Sequence, residues 1–248
     1  SNQNRVHAAQ ANYTKKRPIM KITRLLIIFM ILYFTKTMGQ NAQLVKPYSG
    51  IIEKEINDTS SRYDYSKLME RFQKGDSTFT IEEKRHLYYG FIFQNNYSPY
   101  KRSEYADSIR IIRQKQDLNE EDYRKLLNYS NKILEDDPFN TSVISNKLTA
   151  YKKLKNEKDF RTTLSQFMTV IEAILSSGNG ATKEMAFYVI AVPHEYAVLN
   201  VLGFKYAGKQ SLVEHYDYLE VEENEYKING LYFDITPSLN SLNSKKAD

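Results

Sequence analysis

The sequence contains no cysteine, no tryptophan, and no apolar run longer than ten residues. Without cysteine the chain has no disulfide, no thiolate metal ligand, no thiol nucleophile and no lipobox cysteine to acylate, so its fold rests on packing alone. A ten-residue apolar run is short of the roughly 18 needed to cross a bilayer as a helix, which excludes a permanent membrane span. Catalytic signatures are also missing. His194 and Glu195 open HEYAV, but position 198 is valine, so the second histidine of a zinc-binding HExxH helix is absent. Ser211 in GKQSL lacks the following glycine of a nucleophile elbow. SSGNGATK at 176–183 lacks the glycine-lysine spacing of a phosphate loop, and Glu220, Glu222, Glu223 and Glu225 lack the ligand spacing of an EF-hand. The sequence implies neither a cofactor nor a metal.

What is present begins with an export address. From Met20 the chain reads MKITRLLIIFMILYFTKTMGQ: Lys21 and Arg24 precede the apolar decamer Leu25 to Phe34, and Thr37 and Gly39 place small residues at a cleavage site. This is the pattern of a secretory signal peptide over 20–39, with 1–19 an upstream extension. Seven basic residues and no acidic one lie before residue 40, so removing that stretch moves the net charge from +5 to −2. A mildly acidic body lacks the cationic footprint of nucleic-acid binding. An exported chain without cysteine fits a bacterial periplasm or cell surface.

From about residue 60 to 178 the apolar residues recur at helical spacing. Tyr65, Leu68, Met69 and Phe72 form one stripe ending at Gly75. Thr80 and Glu83 form a capping box ahead of Leu87, Tyr88, Phe91 and Ile92, and Ile109 and Ile112 follow Ser103. Asn119 and the acidic turn Glu120 to Asp122 open a helix that ends before Pro138. Ile144, Leu148, Tyr151 and Leu154 make a further stripe, and Phe160, Leu164, Phe167, Met168, Ile171 and Leu175 the last. The helices flanking DPFN (137–140) read as degenerate tetratricopeptide-like hairpins, although Leu126 and Phe160 stand where that repeat needs small residues.

After residue 184 the period changes. AFYVIAV (186–192) reads as a strand covered on both faces and stopped by Pro193, EYAVLNVLG (195–203) as a short helix, SLVEHYDYLEV as an alternating strand, and Asn229-Gly230 as a hairpin turn before Leu231, Phe233 and Ile235. The expected fold is α+β, with N-terminal helical hairpins followed by a small antiparallel sheet carrying one short helix. It forms a single domain over 40–238, with a disordered tail at 239–248.

The stretches LYYGFIFQNNYSPY (87–100), FYVIAVPHEYAVLNVLGFKYAGKQSLV, DYLEVEEN and GLYFDIT resemble a family of secreted proteins, mostly from Bacteroidetes, grouped as domain of unknown function 4919. The resemblance covers most of the body and implies an exported α+β protein to which no catalytic or binding residue carries over.

The residues that invite chemistry are His194, Glu195, His215 and Asp217. His194 is expected in a turn and Glu195 in the first turn of a helix, where the macrodipole favours a carboxylate. If 211–221 is one strand, Val213, His215, Asp217, Leu219 and Val221 share a face, and the two polar groups form a buried hydrogen-bonded pair, an outward bulge or part of a site. His86, among Glu82, Glu83 and Arg85, reads as a solvated surface histidine. The missing signatures favour a non-catalytic binding or scaffold protein of the bacterial envelope with another envelope protein as partner. The alternatives are a hydrolase using those four residues and a glycan-binding protein, given twenty tyrosines. A row of coplanar exposed rings would mark the last.

Overall fold

The computed structural model describes residues 44–244. The signal peptide and the segment before it lie outside the described residues, as do residues 245–248. The chain runs through α1 (Ser49–Ile56), α2 (Tyr65–Gln73), α3 (Ile81–Gly90) with a 3-10 turn at Phe91–Phe93, α4 (Ala106–Arg113), α5 (Glu120–Asp136), α6 (Thr141–Lys153) and α7 (Glu157–Leu175). It continues through β1 (Phe187–Tyr188), α8 (Pro193–Val201), β2 (Tyr206–Val213), β3 (Tyr216–Val221), β4 (Gly230–Asp234) and α9 (Thr236–Ser244), making an α+β fold.

The helix starts follow from side chains that satisfy orphan amides. Thr80 accepts from the Glu83 amide at 3.3 Å while Glu83 accepts from the Thr80 amide at 2.7 Å. Asn119 and Asp122 form the same reciprocal box, and Asp64, Asn140 and Asn156 cap α2, α6 and α7. Glu83 does more than cap. It also accepts from Arg71 at 2.8 Å and Arg62 at 3.2 Å, and these bonds outweigh its partial burial to hold its carboxyl down at about 2.

The sheet order is β1-β4-β3-β2, with β1 parallel to β4 and the other pairs antiparallel. The expected antiparallel sheet is therefore mixed. The apolar run at 186–192 yields only a two-residue strand, because Ile190 to Val192 turn away to start α8, with Pro193 at its first position. The stretch 211–221 is two strands rather than one. Val213 pairs with Tyr216 across a two-residue turn in which Glu214 has φ 62°. Asn229-Gly230 does not form the hairpin turn; Gly230 opens β4 beneath the Tyr218 ring, where a Cβ would meet the ring at 2.5 Å. The tail expectation fails over 239–244, which continue α9, where Leu239 packs on the core.

Leu219, Val221, Leu231 and Phe233 face inward and pack with α3, α7 and α8 in the main core. In α7 the buried face runs through Thr163, Val170, Ile171 and Ile174, so the expected stripe is rotated and Leu164 is 39% exposed. A smaller apolar cluster joins α4, α5 and α6 through Ile109, Leu126, Ile133, Val143 and Ala150. His86 is not a surface histidine. It is 5% exposed, stacked on Tyr63 at 3.9 Å, with Nδ1 2.8 Å from the Glu82 carbonyl and Nε2 2.6 Å from the Glu55 carboxylate. Helix α3 is buried on nearly every side, so its charged residues turn inward with partners.

Candidate functional site

The four singled-out residues do not converge. Segment 190–194 enters α8, and His194 is buried there. The Tyr88 hydroxyl accepts from the Ile190 amide at 3.2 Å and donates to His194 Nδ1 at 2.6 Å. His194 therefore carries its proton on Nε2, which bonds the Phe139 carbonyl. Desolvation pushes its pKa down to about 4, against the weaker opposing effect of that carbonyl, so the ring is neutral and both nitrogens are engaged. His215 sits in the β2–β3 turn, tilted over Tyr216 with ring centroids 4.0 Å apart and Nε2 3.8 Å from Asp234. It does not pair with Asp217.

Asp217 meets Glu195 instead. The strand period places Asp217 on the inner face of β3 with Leu219 and Val221, and the first turn of α8 aims Glu195 at it. Glu195 is 0% exposed, and neither of its carboxyl oxygens has a donor to accept from among the described residues. Burial first and the Asp217 charge second push its pKa up to about 9, so at neutral pH it is the acid that donates to Asp217. Asp217 is 4% exposed and also accepts from Gln210 Nε2 at 2.8 Å, while Gln210 Oε1 accepts from Tyr196 at 2.9 Å. This arrangement shares one proton between two carboxyls behind a wall of protein. Both carboxyls are buried.

What is open is a cleft of about 680 Å³ beside it, with His194 and Ile190 at one wall. Loop 96–103 forms a second wall. One face of α4 (Ala106, Ile109, Arg110, Arg113), the end of α5 (Ile133, Asp136, Asp137) and the start of α6 (Asn140, Ser142, Val143, Asn146) form the rest. These spacings are i, i+3/i+4 and i+7, so each helix offers the cleft a single face. Lys101 pairs with Asp136 at 2.8 Å, and Arg102 and Arg110 both reach Asp107, at 2.6 and 3.1 Å. Arg113 has no acidic partner among the described residues. Burial raises the Asp137 carboxyl, opposed by a bond from Asn140 at 2.9 Å. The sequence reading missed Asp137, Asn146 and Arg113. The one signal was the DPFN break, which was taken as a helix end and as the joint of a helical hairpin.

Paired tyrosines do not form a flat platform. Tyr218 and Tyr232, on the outer face of the sheet, are tilted by 44°, and the better-aligned Tyr105 and Tyr129 pack on the small apolar cluster. Among the described residues no group of three or more acidic and histidine side chains could hold a metal, and no helix is long and apolar enough to cross a membrane.

No curated protein and no solved structure matches the chain. A family model described as Domain of unknown function (DUF4919) matches residues 50–244, a span that takes in every described helix and strand but the first residue of α1, and with them the cleft and the buried carboxyl pair. The chain belongs to that family.

Proposed function

We propose that this protein is a non-catalytic binding protein that works after export, at the bacterial envelope, by holding a ligand or a segment of an envelope partner in the cleft. The observation that carries the reading is the cleft itself. It has an apolar lining and polar groups open to it, while Glu195 and Asp217 are buried beside it and His194 Nδ1 is bonded to Tyr88. The helical hairpins, in the degenerate tetratricopeptide-like reading, are the scaffold that holds its walls. A hydrolase using His194, Glu195, His215 and Asp217 has no comparable support, because those residues present no open acid and base together. The test compares the tagged protein with Ser142→Trp, which plugs the cleft from an exposed lining position, in native mass spectrometry of material purified from the producing cells' envelope. A species bound to the first and lost from the second is expected. If the two carry the same species, or neither carries any, the cleft is not where this protein works.

A further inference from the structure

Within that reading, the cleft's chemistry points to a class of occupant. Of its four basic side chains, three are already tied to Asp136 or Asp107, and Arg113 alone faces it without an acidic partner. The second feature is Asn146. Its side chain is in the lining, only 8% of the residue is exposed, and the amide has no hydrogen-bond partner among the described residues. With no protein partner among them, the Asn146 amide at the cleft wall is free to bond whatever occupies the cleft. Around these two groups Ile109, Ile133 and Val143 supply buried apolar wall.

We infer that the occupant is a low-molecular-mass organic acid, a carboxylate on an apolar body. The carboxylate lies against Arg113, a hydrogen-bonding group or the second carboxylate oxygen meets the Asn146 amide, and the body lies on the isoleucine and valine wall. Guanidinium matches carboxylate in a two-point bond that neither an alcohol nor an amine can reproduce. A half-open space of about 680 Å³ is large enough for a small ligand. An extended acidic peptide carries the same head group but has to leave the cleft at one end.

The inference rests on the binding reading, and calorimetric titration with octanoate, octylammonium, 1-octanol and an acetylated apolar heptapeptide with a free C-terminus separates the two. Octanoate is expected to bind one equivalent, ~tenfold or more tighter than the alcohol, with the amine silent. Arg113→Gln should bring octanoate down to the alcohol's affinity and leave the alcohol unchanged. Asn146→Leu should weaken octanoate while leaving the alcohol's affinity unchanged, an outcome a merely structural asparagine does not give. Ser142→Trp should abolish both. No octanoate binding up to about 1 mM, or an Arg113→Gln or Asn146→Leu variant that binds it as tightly, overturns the inference. Tighter binding of the peptide than of octanoate also overturns it, in favour of a protein segment. If octanoate fails while a cell-derived species is still lost from Ser142→Trp, the binding reading stands and only the organic acid falls.

Discussion

At the scale of single residues the structure is governed by groups whose protons are fixed by burial. Glu195 folds as an acid with its pKa at about 9, against an unfolded carboxyl value of 4.5. Between these limits the folded chain holds a proton the unfolded chain has lost, so its contribution to stability is whole below about 4.5 and declines as pH rises, by up to about 1.4 kcal/mol per unit. Glu195→Gln keeps the donor to Asp217 without the titration. Thermal melts from pH 5 to 9 should show the parent's melting temperature falling more steeply than the variant's, with the variant about 1–3 kcal/mol more stable at pH 8. Parallel profiles would mean that Glu195 is ionised in the fold. Tyr88 is a second such residue, because one hydroxyl serves both the Ile190 amide and His194. Tyr88→Phe strands two buried groups and should cost about 1–3 kcal/mol in urea unfolding, with His194 moved in its imidazole NMR titration. The periodicity showed Tyr88 as a core residue and said nothing of its hydroxyl, because its partners lie 102 and 106 residues away.

At the scale of elements, what could be read locally was read. The Thr80-Glu83 box, the Asn119 cap, the break at Pro138 and the α8 helix all stand, because each depends on residues within one turn of one another. What failed depended on distant partners. The run 186–192 has strand composition throughout, yet only Phe187 and Tyr188 pair with β4 as strand, with Val189 adding one bond to the Asp234 carbonyl. The tail from 239 is polar, yet Ser238 at its threshold is fully buried and donates to the Ile190 carbonyl at 3.2 Å, which also accepts from Tyr97 at 2.6 Å. Helix α9 and the 96–103 loop are thus fastened to one carbonyl at the cleft wall. Ending the chain after Ile235 removes that fastening and the Leu239 packing, so the melting temperature should drop by several degrees, with the ring signals of Tyr97 broadened in NMR spectra. A truncated chain with the same melting temperature would show that α9 is an appendage.

At the scale of the whole molecule the cleft exists because two apolar clusters stop short of merging. Ile109, Ile133 and Val143 belong to the cluster of α4, α5 and α6, whereas Phe91 and Ile190 belong to the main core, and the cleft touches both. No sequence pattern exposes such a gap, since each lining residue is an ordinary apolar position of its own helix and Asn146 and Arg113 look like polar residues at helix surfaces. The two sides are also held unequally. Helix α3 is surrounded by α1, α2 and α7 in the main core, while α4 packs chiefly on α5 and contributes only Ile109 and Ile112 to the buried apolar residues. Few buried apolar contacts make a local opening inexpensive. The α4 wall, which carries Arg110 and Arg113, is therefore the side that yields when something enters. Native-state hydrogen exchange should find the amides of 110–113 less protected than those of 85–90 by ~tenfold or more, with occupancy of the cleft closing the difference and leaving α3 unchanged. Equal protection of the two helices would make the cleft a rigid slot, and entry would then have to come through the 96–103 loop.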